Sequence, residues 1–156
     1  MPKLIKEGAI VDDSWQAVDP DNPSADPRQI LSLEQWLAAD DNTARAVQLE
    51  PGETPEPLFP ALGSIPLIAI NFPVLTDGRG FSYARELREQ GYSGEIRACG
   101  HFMPDQMTYL HRCGFNAFQL ADESRLEAAL SCLDDFSEFY QAAIDQPLPL
   151  FRRRTP

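Results

Sequence analysis

No apolar run in this 156-residue chain approaches the ~20 residues needed to span a bilayer. The opening stretch, MPKLIKEG, has no apolar h-region, so a secretory leader is not expected and a cytoplasmic location is. Basic residues are few: 13 Lys and Arg stand against 24 Asp and Glu, a formal charge of −11. Nucleic acid needs a basic face, so it is excluded as a partner, and a membrane is too. Cysteine is also scarce. Cys99, Cys113 and Cys132 form no CxxC pair, which argues against a disulfide framework, a zinc ribbon or a ferredoxin-type cluster. Two histidines without an HxxxE pattern give no metal site. No GxGxxG, GK[ST] or GxSxG motif occurs, so neither a nucleotide cofactor nor a serine nucleophile is indicated, and no cofactor is expected.

What is present suits one soluble domain, with 43% hydrophobic and 24% charged residues. Charge is unevenly spread. Residues 1–60 carry 12 acids and 4 bases, whereas residues 61–120 carry 5 of each, all five bases being arginines. That neutral middle is where an anion would find partners.

The pattern divides into a hairpin (1–17), a loop (18–31), a core (32–145) and a tail (146–156). KLIK and AIVD flank a Glu7–Gly8 turn and read as two strands. VDPDNPSADP (18–27) is acidic, proline-rich and aperiodic, and reads as an exposed loop. SLEQWLAAD opens with a capping box, Ser32 and Gln35, and places Leu33, Trp36 and Leu37 on one face. ARAVQLE (44–50) reads as a strand, ETPEPLFPALGSI as broken turns, and the nearly all-apolar IPLIAINFP as a strand covered on both faces.

Two helix ends then repeat at an offset of 23 residues. LREQGY (87–92) and LHRCGF (110–115) each place a glycine at C′ and an aromatic at C″. Strands GEIRACG and NAFQLAD follow them. A last helix, SRLEAALSCL, has a second capping box at Ser124 and Glu127 and an apolar face of Leu126, Leu130 and Leu133. The order predicts an α/β domain with about four parallel strands alternating with helices. Both an open flavodoxin-like sheet and half of a β/α barrel satisfy it.

Ligands of such folds collect at the carboxyl ends of the strands. There lies TDGRG. Gly78 and Gly80 permit positive φ and close approach of backbone amides, Arg79 offers a fork for an oxyanion, and Asp77 serves as cap, orienter or proton carrier. The next edge loop, CGHFMPDQ, offers His101, an imidazole for proton transfer, with Pro104 at N1 and Asp105 and Gln106 in the first helical turn. Asp122 stands in the third. The expected catalytic set is Asp77, His101 and Asp105; the expected anion-binding set is Gly78, Arg79, Gly80 and Gln106. The tail has its own signature. Phe136, Phe139 and Tyr140 have helical spacing and are expected to be buried. QPLPLF is extended by its prolines and must lay Leu148, Leu150 and Phe151 on a surface, with Arg152 beside them; that surface is its own domain, a twin subunit in a homodimer or another protein.

The blocks LIAINFPVLTDGRGFSYARELRE, GEIRACG, DQMTYLHRCGFNAFQL and LDDFSEFYQAAIDQPLPLFRRR, with the opening MPKLIKEGAIVDDSWQ, together resemble the bacterial domain-of-unknown-function family numbered 934. The resemblance implies a protein encoded beside assimilatory sulfite reductase and often labelled an oxidoreductase of sulfite reduction. It implies a sulfite reductase hemoprotein as partner and carries over no catalytic residues. The reading that follows is an accessory protein of sulfite reduction, acting by protein contact and binding a small oxyanion. The alternative is a small enzyme for an anionic metabolite, with Arg79 as anchor, Asp77 or His101 moving the proton and Asp105 orienting.

Overall fold

In the computed structural model, residues 1–22, 26–74 and 76–153 are described. Among them runs one seven-stranded sheet in the order β2-β1-β7-β6-β5-β4-β3. The strands are β1 (Lys3–Lys6), β2 (Ala9–Asp12), β3 (Leu31–Ser32), β4 (Val47–Leu49), β5 (Leu67–Phe72), β6 (Glu95–Gly100) and β7 (Ala117–Leu120). β3 to β7 are parallel, five strands where four were expected, because the two-residue β3 is too short to leave a pattern. β1 and β2 form the expected hairpin, which packs antiparallel on β7.

The parallel strands follow one another in chain order. A flavodoxin-like sheet reverses direction; this one does not, and its strand order is the one the half-barrel alternative has. Each right-handed crossover steps the same way, so the connecting helices share one face. They are α1 (Leu33–Ala38), α2 (Arg79–Glu89), α3 (Met107–Cys113) and α4 (Leu126–Cys132), with a 3₁₀ segment over Glu56–Ala61 between β4 and β5. The main core lies beneath them, built on Val47, Leu49, Ile68, Ile70, Phe72, Ile96 and Phe118.

Local chemistry explains the ends of these elements. Ser32 and Gln35 close their capping box on α1. Leu33 and Trp36 are buried, while Leu37, expected on the same face, is exposed. The echo at offset 23 is a repeated Schellman motif. Tyr92 N–H bonds Leu87 O and Gly91 N–H bonds Arg88 O; Phe115 N–H bonds Leu110 O and Gly114 N–H bonds His111 O. Gly91 and Gly114 have φ of 87° and 115°, and Tyr92 and Phe115 fold back into the core. The last helix starts differently from its motif. Asp122, not Ser124, is the cap, its Oδ1 accepting Ser124 N–H at 3.1 Å. A 3₁₀ turn, Glu123–Arg125, precedes α4, and the box with Glu127 does not form. Leu126 is buried and Leu130 and Leu133 are half-buried.

The sheet's second face is covered by chain from the N-terminal side. Trp15 and Val18 pack on Ile30, Ala46, Leu67 and Ala69, so Val18 draws part of the expected exposed loop onto the sheet. Residues 23–25 of that loop lie outside the described residues. Arg97, 1% exposed, points into this layer. Its guanidinium meets Asp13 at 2.8 Å and Glu95 at 2.8 Å, and Lys6 reaches the other oxygen of Glu95 at 2.7 Å.

The C-terminal segment departs from its pattern. Residues 134–149 form no helix, and Phe136 and Tyr140 are 60% and 69% exposed. Phe139 is half-buried because Arg112 of α3 lies over its ring, 4.0 Å from the centroid. Arg112 also bonds Gln141 O and stands 3.7 Å from Asp145. Its carbonyl accepts Ile144 N–H. One long cation thus gathers a stretch that a helix would have had to span. The tail is not wholly extended either: Leu150–Arg153 make a short helical turn, α5. Arg153 pairs with Glu138 at 2.6 Å. Arg154, Thr155 and Pro156 lie outside the described residues.

Replacing Arg97 with Ala leaves two buried carboxylates short of their shared cation; urea unfolding is expected to show a loss of about 3–5 kcal/mol. Replacing Arg112 with Ala is expected to speed amide hydrogen exchange across 136–153 while sheet amides keep their protection.

Candidate functional site

β5, β6 and β7 are parallel neighbours, so the loops that follow them open at one rim. Phe72 and Gly100 are register partners, and His101 N–H bonds Phe72 O at 2.7 Å, tying the first residues of the two expected loops together. Gly100 makes this possible. It has φ of 107°, and a Cβ there would stand 2.5 Å from Phe72 O and 2.8 Å from Asn71 Oδ1.

TDGRG is built differently from its sequence reading. Gly78 has φ of −87°, and neither Gly78 nor Gly80 is among the positive-φ glycines. Gly80 is buried in the first turn of α2, where a Cβ would stand 2.8 Å from Ile70 Cγ2 and from the Phe72 ring. The residue is a glycine so that helix and strand can touch, and that contact turns it from the solvent. Arg79 is closed on Asp77, with Nε–Oδ1 at 3.0 Å and Nη2–Oδ2 at 2.6 Å. The same Asp77 Oδ1 accepts Arg79 N–H at 3.2 Å. These hydrogen bonds hold the Asp77 carboxyl below the usual carboxylate range, ionised and weakly basic. The guanidinium lies over Gly52, where a Cβ would meet Nη1 at 3.4 Å, and Gly52 N–H donates to Tyr83 OH at 3.0 Å. Arg79 therefore associates with the turn after β4.

The other arginines of the neutral middle are engaged as well. Arg85 pairs with Glu89 at 2.9 Å, an i,i+4 contact along α2. Arg88 donates to the carbonyls of Gly114, Tyr92 and Gly94, joining the two repeated helix ends. Arg97 and Arg112 are held as described above.

His101 belongs to a second arrangement. A cleft of about 280 Å³ is lined by Gly100, His101, Phe102, Met103, Asp122 and Arg125. Its floor is apolar: Phe102 and Leu120 are 5% and 3% exposed. Arg125 Nε stands 3.2 Å from Asp122 Oδ2, and its Nη1 3.1 Å from Met103 Sδ. The Ser124 hydroxyl, at 2.6 Å, leads the contacts that hold Asp122 below the usual range. The His101 ring is exposed and makes no hydrogen bond with a described residue. Pro104 opens the 3₁₀ turn Pro104–Gln106 as expected. Asp105 there is exposed, and Gln106 Oε1 is spent on Met103 N–H at 2.9 Å. The rim thus separates the expected residues: Asp77 and Arg79 on one side, His101 with Asp122 and Arg125 on the other.

Arg125 and, in the row that also holds Cys99, the residues Glu50, Asn71 and Gln119 were not singled out from the sequence. Asn71, Cys99 and Gln119 are register partners on the face away from the helices. Asn71 Nδ2 and Gln48 Nε2 each bond Glu50 at 2.7 Å. The signal was the period-two alternation in AVQLE, EIRAC and AFQL, which puts every polar side chain of those strands on one face. Cys99 closes on Ile70 O at 3.4 Å, and burial pushes its thiol up to about 12. Burial also leads the rise at Cys113 and Cys132, so none of the three is an activated thiolate.

Among the described residues no helix is long and apolar enough to cross a membrane, and no group of three or more His, Cys, Asp or Glu could hold a metal. No curated protein and no solved structure matches the chain. A family model described as a bacterial protein of unknown function (DUF934) matches residues 46–151, which span the parallel strands β4 to β7 and most of the C-terminal segment, and the chain belongs to that family.

Proposed function

We propose that the protein is an accessory of assimilatory sulfite reduction that acts by contact with another protein through its C-terminal segment. The link to sulfite reduction rests on the family resemblance, which suggests a sulfite reductase hemoprotein as the partner. The contact reading rests on one observation: Phe136, Tyr140, Leu148 and Phe151 are 60%, 69%, 52% and 59% exposed. Large apolar side chains gathered this way mark an interaction surface. They are also held in place. Phe136 stacks on Phe139 and Tyr140 on Phe151, and Leu150 N–H bonds Tyr140 O. Leu150 is half-buried, while Arg152 is exposed beside Phe151, its guanidinium 5.9 Å from the ring. The complement of this patch is an apolar surface with an acidic margin.

A second reading, a small enzyme or binder for an anionic metabolite, is favoured by the cleft beside His101. Arg125 supplies a cation, His101 an unengaged imidazole, and Phe102 and Leu120 a dry floor. Arg79 enters this reading only if the anion displaces Asp77 from its guanidinium.

Co-purification of the full chain with a sulfite reductase hemoprotein tests the first reading. The double variant Leu148→Asp, Phe151→Asp is expected to abolish association without lowering the melting temperature; a hemoprotein that ignores the wild-type chain, or binds both forms alike, rules out this contact. Light scattering on the same pair separates self-association from partner binding. For the second reading, thermal shifts with sulfite, sulfate and phosphate are expected to show about 2.7 kcal/mol of stabilisation at a hundredfold excess over Kd. The response should vanish in Arg125→Ala and persist in Arg79→Ala. The reverse pattern moves the anion to TDGRG.

A further inference from the structure

At the opposite end of the sheet from the His101 cleft, beside the start of the C-terminal segment, the hairpin turn breaks a local rule. Glu7 and Gly8 join β1 to β2 with φ of 52° and 73°. A two-residue turn with both φ values positive favours Asn, Asp or Gly at its first position. A longer side chain is strained in the left-handed region. Glycine at 7 would relieve that strain, and glutamate stands there instead.

The turn lines a cleft of about 290 Å³, together with His111, Asn116, Phe118, Leu133 and Asp134. Phe118, 2% exposed, and Leu133 make an apolar floor. Asn116 is engaged by the backbone, its Oδ1 accepting Ile96 N–H at 2.8 Å and its Nδ2 donating to Gly94 O at 3.4 Å. The two carboxylates at the margin are not: neither Glu7 nor Asp134 has a side-chain ion pair or hydrogen bond with a described residue. His111 is exposed at the same margin, and its ring has no described hydrogen-bond partner. An apolar floor with two unspent carboxylates matches a molecule with a hydrophobic body and a positive head.

We propose that this cleft is a binding site for a small organic ammonium compound, its apolar body on Phe118 and Leu133 and its ammonium between Glu7 and Asp134. The strained glutamate is then explained: the turn gives up stability to hold a carboxylate at the mouth.

Calorimetric titration of the full chain with 2-phenylethylammonium, 2-phenylethanol and phenylacetate tests the site. The ammonium is expected to bind with a Kd below about 10 mM, the isosteric alcohol about fivefold more weakly and the carboxylate not measurably. Glu7→Gly is expected to raise the melting temperature by several degrees while weakening ammonium binding about fivefold, a split that a purely structural turn residue would not give. Asp134→Asn, remote from the turn, should weaken binding to a similar degree and serves if Glu7→Gly perturbs the hairpin. No binding of the ammonium, equal binding of the alcohol, or unchanged binding in both variants overturns the site. None of these outcomes bears on the C-terminal contact or the His101 cleft.

Discussion

Arg97 between Asp13 and Glu95 is the contact on which the rest of the molecule depends. A sheet whose crossovers all step one way sends its helices to one face and leaves the other bare. Something else must cover that face, and here it is the chain between the hairpin and β3. Apolar packing by Trp15 and Val18 supplies the area. The ion pair supplies the address, because a buried guanidinium accepts few positions for its carboxylates. Glu95 links the same cluster to Lys6 of β1, so the hairpin and the covering segment are fixed to β6 by one charge network.

The rim of the sheet inherits its order from this. With the back face closed, the loops after β5, β6 and β7 are held by strands that cannot slide. Polar groups there are largely consumed by one another: Arg79 by Asp77, Gln106 by Met103 N–H, Glu50 by Asn71 and Gln48. The His101 ring makes no hydrogen bond with a described residue, and it opens on an apolar floor.

What the sequence revealed was whatever depends on neighbours in the chain. The capping box at Ser32, the turn at Glu7–Gly8, the 3₁₀ break among the prolines and the two glycine helix ends are all determined within six residues. The alternation of strands and helices gave the α/β class, and chain-ordered pairing then excluded an open doubly wound order. What escaped was determined at a distance. Phe136, Phe139 and Tyr140 have helical spacing without a helix, because Arg112, far back in the sequence, organises their segment. Asp122 takes the cap that Ser124 promised, its Oδ1 accepting both the Ser124 N–H and the Ser124 hydroxyl. Gly80 illustrates an ambiguity of residue type. A missing side chain serves a ligand and a close helix equally well in the sequence, and only the packed neighbours, Ile70 and Phe72, decide between them.

Gly100 carries a mechanical consequence for the rim. Its missing side chain lets the ends of β5 and β6 lock backbone to backbone, with Phe72 O and Asn71 Oδ1 in the space a methyl would need. Those two strand ends act as a fixed jaw. The other jaw, the turn at Asp122–Arg125, is tied to them at its base, where Ala121 N–H bonds Gly100 O at 2.9 Å, and meets Met103 further out through a softer contact of Arg125 to sulfur.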